Sequence, residues 1–167
     1  MNDMPLHPAI VHLPLGLAML IPLLALGAAV AIHRGSLPRW LWGGVLALQL
    51  LMVAGGLAAM NTGERDEEVV EDVVSERLIH EHEEAAERFV WVSAALGLLF
   101  ALGVALPKPK WRSVAMAASV IGSLGAAGLA LDVGHEGGVL VYRHGAAAAH
   151  ATPGGAATRA EDEDDDD

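Results

Sequence analysis

Histidines and carboxylates that could share one site are spread over distant parts of this chain. His7 and His12 lie near its beginning, and His82 lies in an acidic stretch near its middle. The other candidates follow the last apolar segment and are Asp132, His135, Glu136 and His144. Imidazole and carboxylate groups bind divalent transition metals, and two facing imidazoles can hold a haem iron. Such chemistry requires a fold that brings these residues together, so it depends on how the intervening segments are arranged.

Four apolar segments predict an integral, all-α membrane protein. The chain has 167 residues, 53% of them hydrophobic, and its mean hydropathy is +0.42. The predicted spans are residues 8–32, 40–60, 89–106 and 113–131, each near the ~20 residues that cross a hydrocarbon core. The first is predicted to be a span rather than a secretory signal, because no Lys or Arg precedes it and it is longer than the ~7–15 residues of a signal core.

The charges predict the orientation of these spans. Two connections on one side carry basic residues and no acid: Arg34, Arg39, Lys108, Lys110 and Arg112. Because basic loops stay in the cytoplasm, both termini are predicted to be extracytoplasmic and the protein to lie in the cell (inner) membrane, in contact with the lipid bilayer. The acids all fall on the predicted outer side. The absence of cysteine excludes thiolate metal sites and covalent haem attachment within this chain.

Small residues and short connections predict an antiparallel four-helix bundle over residues 1–145. The fourth segment carries a stripe of small residues: Ala118, Gly122, Ala126 and Ala130. Such a stripe allows close helix approach, which is compatible with a homo-oligomer as well. Apolar residues at helical spacing among acids predict an amphipathic helix at the outer interface over residues 64–88, before the third span. The low-complexity end, residues 146–167, predicts a disordered acidic tail.

Helical phase separates the two histidines of the acidic stretch. At about 100° per residue, His82 shares a face with Ile79 and Phe89 and is predicted to point into the bundle. His80 shares its face with glutamates, which predicts a solvated side chain.

Prolines distinguish the two histidines near the beginning of the chain. His7 precedes Pro8, a residue favoured in the first turn of a helix, and is therefore predicted to mark the helix start. Pro14 cannot donate a hydrogen bond to the carbonyl of Ile10, which frees polar backbone beside His12. His12 is therefore predicted to be the better inward candidate of the two.

The end of the fourth segment offers a second set of ligands. Asp132, His135 and Glu136 stand at positions i, i+3 and i+4, on one helical face, and could supply ligands to a metal. The alternative is that these acids lie in the headgroup region and pair with arginines. The following run "GGVLVYRHG", residues 137–145, predicts either an extended flap over the outer mouth of the bundle or an interfacial anchor through Tyr142.

Three separated motifs carry a resemblance to one family. "HPAIVHLPLGL" from His7, "TGERDEEVVEDVVSERLIHEHEEAAERF" before the third span and "GGVLVYRHG" after the fourth resemble the prokaryotic membrane family named domain of unknown function 2231. The resemblance covers about residues 6–145. It implies a small four-helix protein and, because this domain also occurs joined to Rieske-type or cytochrome-type modules, extracytoplasmic electron transfer. The positions that match the family's histidine motifs are His7, His12, His82 and His144.

These patterns leave three functions open. The first is an accessory or electron-transfer-associated membrane subunit, whose polar cap docks a redox protein or complex on the outer face. The second is a b-type cytochrome with His12 and His82 as ligands, and His7 and His144 nearby. The third is a non-haem metal protein that uses His12, His82, Asp132, His135 and Glu136. No nucleophile paired with a base, phosphate-binding glycine loop or basic nucleic-acid patch is present, so neither an enzyme nor a nucleic-acid partner is predicted.

Overall fold

The computed structural model describes residues 6–150, and that part of the chain is helical without strands. The helices are His7–Ile10 (α1), His12–His33 (α2), Leu41–Val70 (α3), Glu76–Ala105 (α4) and Pro109–Tyr142 (α5). A short 3-10 helix, Ala146–His150, follows α5. The α1 and α2 helices are nearly continuous and are interrupted at Val11, because Pro14 cannot donate to the Ile10 carbonyl.

Four helices are long and apolar enough to cross a membrane, which confirms the prediction of a four-span, all-α membrane protein. The α1 and α2 helices together form the first of them, and α3, α4 and α5 are the others. Three of these helices extend well past the predicted spans at the same end of the molecule. At ~1.5 Å per residue, the 30-residue α3 and α4 helices are each ~45 Å long, longer than a hydrocarbon core.

Each long helix packs on two neighbours, consistent with an antiparallel bundle. The α2 helix contacts α3 and α5, and the α4 helix likewise contacts α3 and α5. The five basic residues lie in the connections 34–40 and 106–108 and in the first turn of α5, and we call this end of the bundle the basic end. The connection 71–75 lies at the opposite end, together with the beginning of α1 and the last turns of α5. We call this the acidic end.

Buried hydrogen bonds and close approaches hold the four helices together. Trp42 stacks on Phe100 with ring centres 5.3 Å apart and donates its indole N–H to the Phe100 carbonyl at 3.1 Å. Gln49 on α3 donates its amide N–H to the Ser93 carbonyl on α4 at 2.8 Å. On α5, Ala126 from the predicted stripe of small residues is buried in the core. The bundle therefore combines polar contacts with small-residue packing, as membrane helices commonly do.

Residues 64–88 do not form a separate interfacial helix. Their first part is the end of α3 and their second part is the beginning of α4, with a break only at the connection 71–75. The reason is that no glycine or proline between Gly63 and α4 ends the α3 helix at the predicted edge of the span. Val74 in the connection is buried against Ile79, so the apolar face of this stretch packs on the protein itself.

The segment predicted as an extended flap is instead helical. The α5 helix continues through Gly137 and Gly138 to Tyr142, because its backbone hydrogen bonds persist as far as the Arg143 N–H. Gly145 then adopts a φ of 72°, which turns the chain into the 3-10 helix. Within that helix Ala146 is buried against the acidic end. The rest of the predicted tail, residues 151–167, lies outside the described residues.

Candidate functional site

A cavity of about 1020 Å³ occupies the acidic end of the bundle. All five α-helices and the 3-10 helix contribute to its lining, and its floor is formed by core residues such as Phe89 and Val90. Three of the histidines considered as ligands line it: His7, His12 and His82. The size falls at the upper end of the ~300–1,000 Å³ of typical small-molecule sites, and the lining is mainly apolar.

His7 is held in a fixed orientation by α3. Its Nδ1 lies 2.8 Å from the Ala59 carbonyl oxygen and 3.5 Å from the Thr62 hydroxyl. A Cβ at Gly63 would lie 3.3 Å from the His7 ring, so the glycine allows the imidazole to approach the helix closely. With Nδ1–H donating to the carbonyl, Nε2 of the neutral ring is left as an acceptor or ligand.

His82 lies next to His7 in the cavity lining. The two ring centres are 6.3 Å apart and the ring planes are nearly perpendicular, at 88°. On the α5 side, a Cβ at Gly137 would lie 3.2 Å from Cε1 of His82. The Nδ1 atom of His82 is buried and has no hydrogen-bond partner within the described part of the chain. Both imidazoles are therefore placed by glycines on neighbouring helices.

Burial affects the protonation of His82, which lies seven residues before the predicted third span begins at Phe89. Removal of the ring from water lowers the pKa of His82, and the neighbouring His7 lowers it further. The neutral form of His82 is thereby favoured, which keeps the ring able to accept a hydrogen bond.

Acids provide all of the formally charged side chains that line the cavity among the described residues. They are Glu64, Asp66 and Glu67 on α3 and Glu83 and Glu87 on α4. Burial raises the pKa of Glu83, and so do the charge and hydrogen bond of Glu67, while His80 opposes the shift. The protonated form of Glu83 is thereby favoured. An anionic ligand would meet only repulsion from these side chains.

The sequence predicted that His12 would point further into the bundle than His7, and the structure shows the reverse. His7 is half-buried against α3, whereas His12 lines the cavity but remains exposed. The reason is that α1 packs on α3, so the first histidine meets Ala59 while the second, beyond the interruption at Val11, does not.

The phase predictions for α4 agree with the structure. His82 lies inside the cavity, while His80 is exposed and pairs with Glu83 at 3.8 Å and with Glu84 at 3.4 Å.

The predicted ligands on and after α5 are not brought to the cavity. Asp132 is exposed, Glu136 is half-buried away from the cavity lining, and His144 is exposed beyond the helix. His135 lines a separate shallow groove together with Arg143. Within residues 6–150, no three His, Asp or Glu side chains are close enough to hold a metal ion.

The α5 helix presents glycines to the cavity. Its lining residues Gly134, Gly137, Gly138 and Val141 recur at i, i+3, i+4 and i+7, so they share one face. The set Asp132, His135 and Glu136 lies about half a turn away from that face. Sequence reasoning missed both this glycine wall and the acids opposite it. The signal for the wall was the glycine spacing in "GHEGG".

No curated protein and no solved structure matches the chain. The model of the family DUF2231, described as a predicted membrane protein, matches residues 3–150. The match includes every helix described above and all of the cavity lining. The chain thus belongs to the DUF2231 family of membrane proteins.

Proposed function

We propose that this protein is an accessory, electron-transfer-associated membrane subunit that holds a small lipophilic molecule in the acidic-end cavity. The observation that carries the proposal is the placement of His7 and His82 as neighbours, with ring centres 6.3 Å apart, in the lining of a mainly apolar cavity of about 1020 Å³. Imidazoles held in this way can bind a ligand's polar group while the apolar lining covers the rest of it. The link to electron transfer is supported by the redox modules that accompany similar domains.

The orientation of the bundle supports a site on the non-cytoplasmic side. The five basic residues in the connections 34–40 and 106–108 and in the first turn of α5 lie together at the basic end, opposite the cavity. The positive-inside rule then assigns the basic end to the cytoplasm and both termini to the other side of the cell membrane. The exposed acids Glu71, Asp72 and Glu76 beside the cavity would attract a partner with a basic surface.

A b-type haem is the second candidate for the cavity. Two imidazoles that ligate one haem iron have ring centres about 6 Å apart, given Fe–N bonds of about 2 Å, and the 6.3 Å between His7 and His82 favours this candidate. Haem also carries two anionic propionates, and the cavity lining offers them acids without Lys or Arg. The imidazoles fit haem but the charges do not, so the proposal favours a ligand without negative charge.

A non-haem metal centre is less well supported. Such a site needs three or four protein ligands, and within the described residues no such group is present.

The first test examines what the purified protein contains. Wild type, His7→Ala and His82→Ala are purified in mild detergent from a haem-replete host, with His80→Ala as the matched control because His80 is exposed on the same helix. Each sample is analysed by oxidised and dithionite-reduced absorption spectra, elemental analysis and mass spectrometry of its organic extract.

The proposal predicts an uncharged lipophilic molecule in wild type and His80→Ala that is depleted in the two other variants. A Soret band with α and β bands on reduction, lost in His7→Ala and His82→Ala, would establish the haem candidate instead. A stoichiometric metal without haem, or an extract with no specific molecule, would contradict the proposal.

A further inference from the structure

We infer that the molecule held in the cavity is a neutral, membrane-soluble quinone or quinol that enters from the bilayer between α1 and α5. The inference rests on the proposed function and names the class of its ligand. Three features of the cavity support it: the side on which it opens, the sign of its charges and the flat wall that faces the two imidazoles.

The 3-10 helix covers part of the acidic end, and the wall of the cavity is incomplete on one side. The 3-10 helix contacts both α3 and α5, and its Ala146 packs on Val74 and Ile79. Within the described chain, the α1 backbone packs on α2 and α3 but not on α5, so the wall is incomplete between α1 and α5. Apolar residues border this gap, among them Val11 on one side and Val141 on the other.

The gap lies at the level where a bilayer begins. Val11 falls three residues inside the predicted first span, and Val133 lies two residues past the end of the predicted fourth span. A molecule dissolved in the membrane can therefore reach the imidazoles without crossing the acidic surface.

The charges of the lining select among membrane-soluble molecules. Fatty acids and anionic phospholipids are disfavoured because all five charged residues of the cavity are acids. The polar groups that point to a specific head group are His7, with Nε2 free to accept, and the neighbouring His82. Nε2 of His7 can accept a hydrogen bond from a hydroxyl, and neutral His82 can accept from a hydroxyl or donate to a carbonyl according to its tautomer, which suits both redox forms of a quinone.

The α5 wall suits a planar ring. The His82 ring packs on Gly137, whereas Gly134 and Gly138 beside it expose helix backbone to the cavity, and among the described residues a Cβ at Gly138 would meet no atom within 4 Å. A flat aromatic head group can therefore lie against α5 with its polar edges toward the histidines. Its isoprenoid chain would leave through the gap between α1 and α5.

Decylubiquinone in nanodiscs of neutral lipid tests the inference with a defined probe. Retained quinone is measured against empty nanodiscs, and decanoate and decyltrimethylammonium serve as anionic and cationic probes of equal chain length. Gly138→Trp places a bulky side chain in the cavity. Gly128→Trp is its matched control, because Gly128 lies on the same helix, is exposed and also has no atom within 4 Å of a Cβ.

The expected result is saturable binding of one decylubiquinone per chain in wild type and in Gly128→Trp. Gly138→Trp should weaken it at least tenfold, and His82→Ala, which keeps the cavity open, should weaken it about tenfold. Equal binding in wild type and Gly138→Trp, or tighter saturable binding of either charged probe, would overturn the inference. If quinone fails to bind while purified wild type carries another uncharged molecule, the quinone inference falls and the proposed function stands; if neither is found, both fall.

Discussion

Gly56 lies directly below the cavity, where α3 and α4 approach each other. A Cβ at this position would lie 2.8 Å from Cγ2 of Val90, well short of the 3.4 Å at which ordinary van der Waals contact begins. Gly56→Ala must therefore move the Val90 side chain or separate the two helices by about 0.6 Å, the difference between those two distances. Because His7 is bonded to α3 and His82 stands on α4, such a separation would also disturb the site.

The expected cost follows from two opposing effects. Overpacking a well-packed core typically costs about 1–3 kcal/mol, and replacing glycine by alanine in a helix returns up to about 1 kcal/mol. Gly56→Ala should therefore lower the free energy of unfolding by about 1–2 kcal/mol. Gly125→Ala is the matched control, because Gly125 is exposed on α5 and a Cβ there meets no atom within 4 Å. Gly125→Ala should leave the free energy of unfolding unchanged or raise it slightly.

Denaturation of the detergent-solubilised protein by SDS, followed by circular dichroism, measures these differences. In the double variant Gly56→Ala/Val90→Ala the clashing methyl is absent, so the effects of the two substitutions should be non-additive, with a coupling energy of about 1 kcal/mol or more. Equal stability of Gly56→Ala and Gly125→Ala, or strictly additive effects in the double variant, would refute the packing described for α3 and α4.

Two other predictions concern orientation and pH. Because the chain contains no cysteine, Ser75→Cys in the connection at the acidic end and Ser36→Cys at the basic end each give a single label site. A membrane-impermeant maleimide should label only the former in intact cells, and the opposite pattern would invert the proposed topology. Since the pKa of His82 is lowered by burial, the unfolded chain binds this proton more readily, and stability should fall as pH decreases from about 7.5 to 5.5. His82→Ala should reduce that loss and the exposed control His135→Ala should not, whereas equal pH slopes in wild type and His82→Ala would contradict the burial of the ring.

The spans and the inward position of His82 could be predicted because both depend on local periodicity. An apolar run of about 20 residues has few alternatives to a transmembrane helix. The phase of His82 relative to Ile79 and Phe89 is set within a single uninterrupted helix, so counting residues was sufficient.

The predictions that failed depended on how one helix packs against another. The choice between His7 and His12 was decided by contact of α1 with Ala59, which no local pattern records. The ligand set on α5 was correctly placed on one face, yet that face is not the one that meets the cavity. The rotation of α5 about its own axis is set by its packing on α2 and α4. Gly122 of α5 accommodates Leu96 of α4, and Gly134 lies near Leu15 of α2.

The extent of α3 and α4 beyond the membrane was also missed, for a different reason. Hydropathy marks where an apolar span ends, but a helix ends only where its backbone is interrupted. Residues 64–70 keep helical hydrogen bonding, so the acids Glu64 and Glu67 are carried past the span and over the cavity. The acidic lining is therefore a consequence of helix continuation.

Native mass spectrometry of the protein released from its own membranes tests the central claim most directly. Wild type and Gly128→Trp should each carry one uncharged lipophilic molecule per chain, and Gly138→Trp, whose new side chain enters the cavity, should not. A wild-type protein without such a molecule, or the same adduct at equal occupancy in Gly138→Trp, would contradict the assignment of the acidic-end cavity as the binding site.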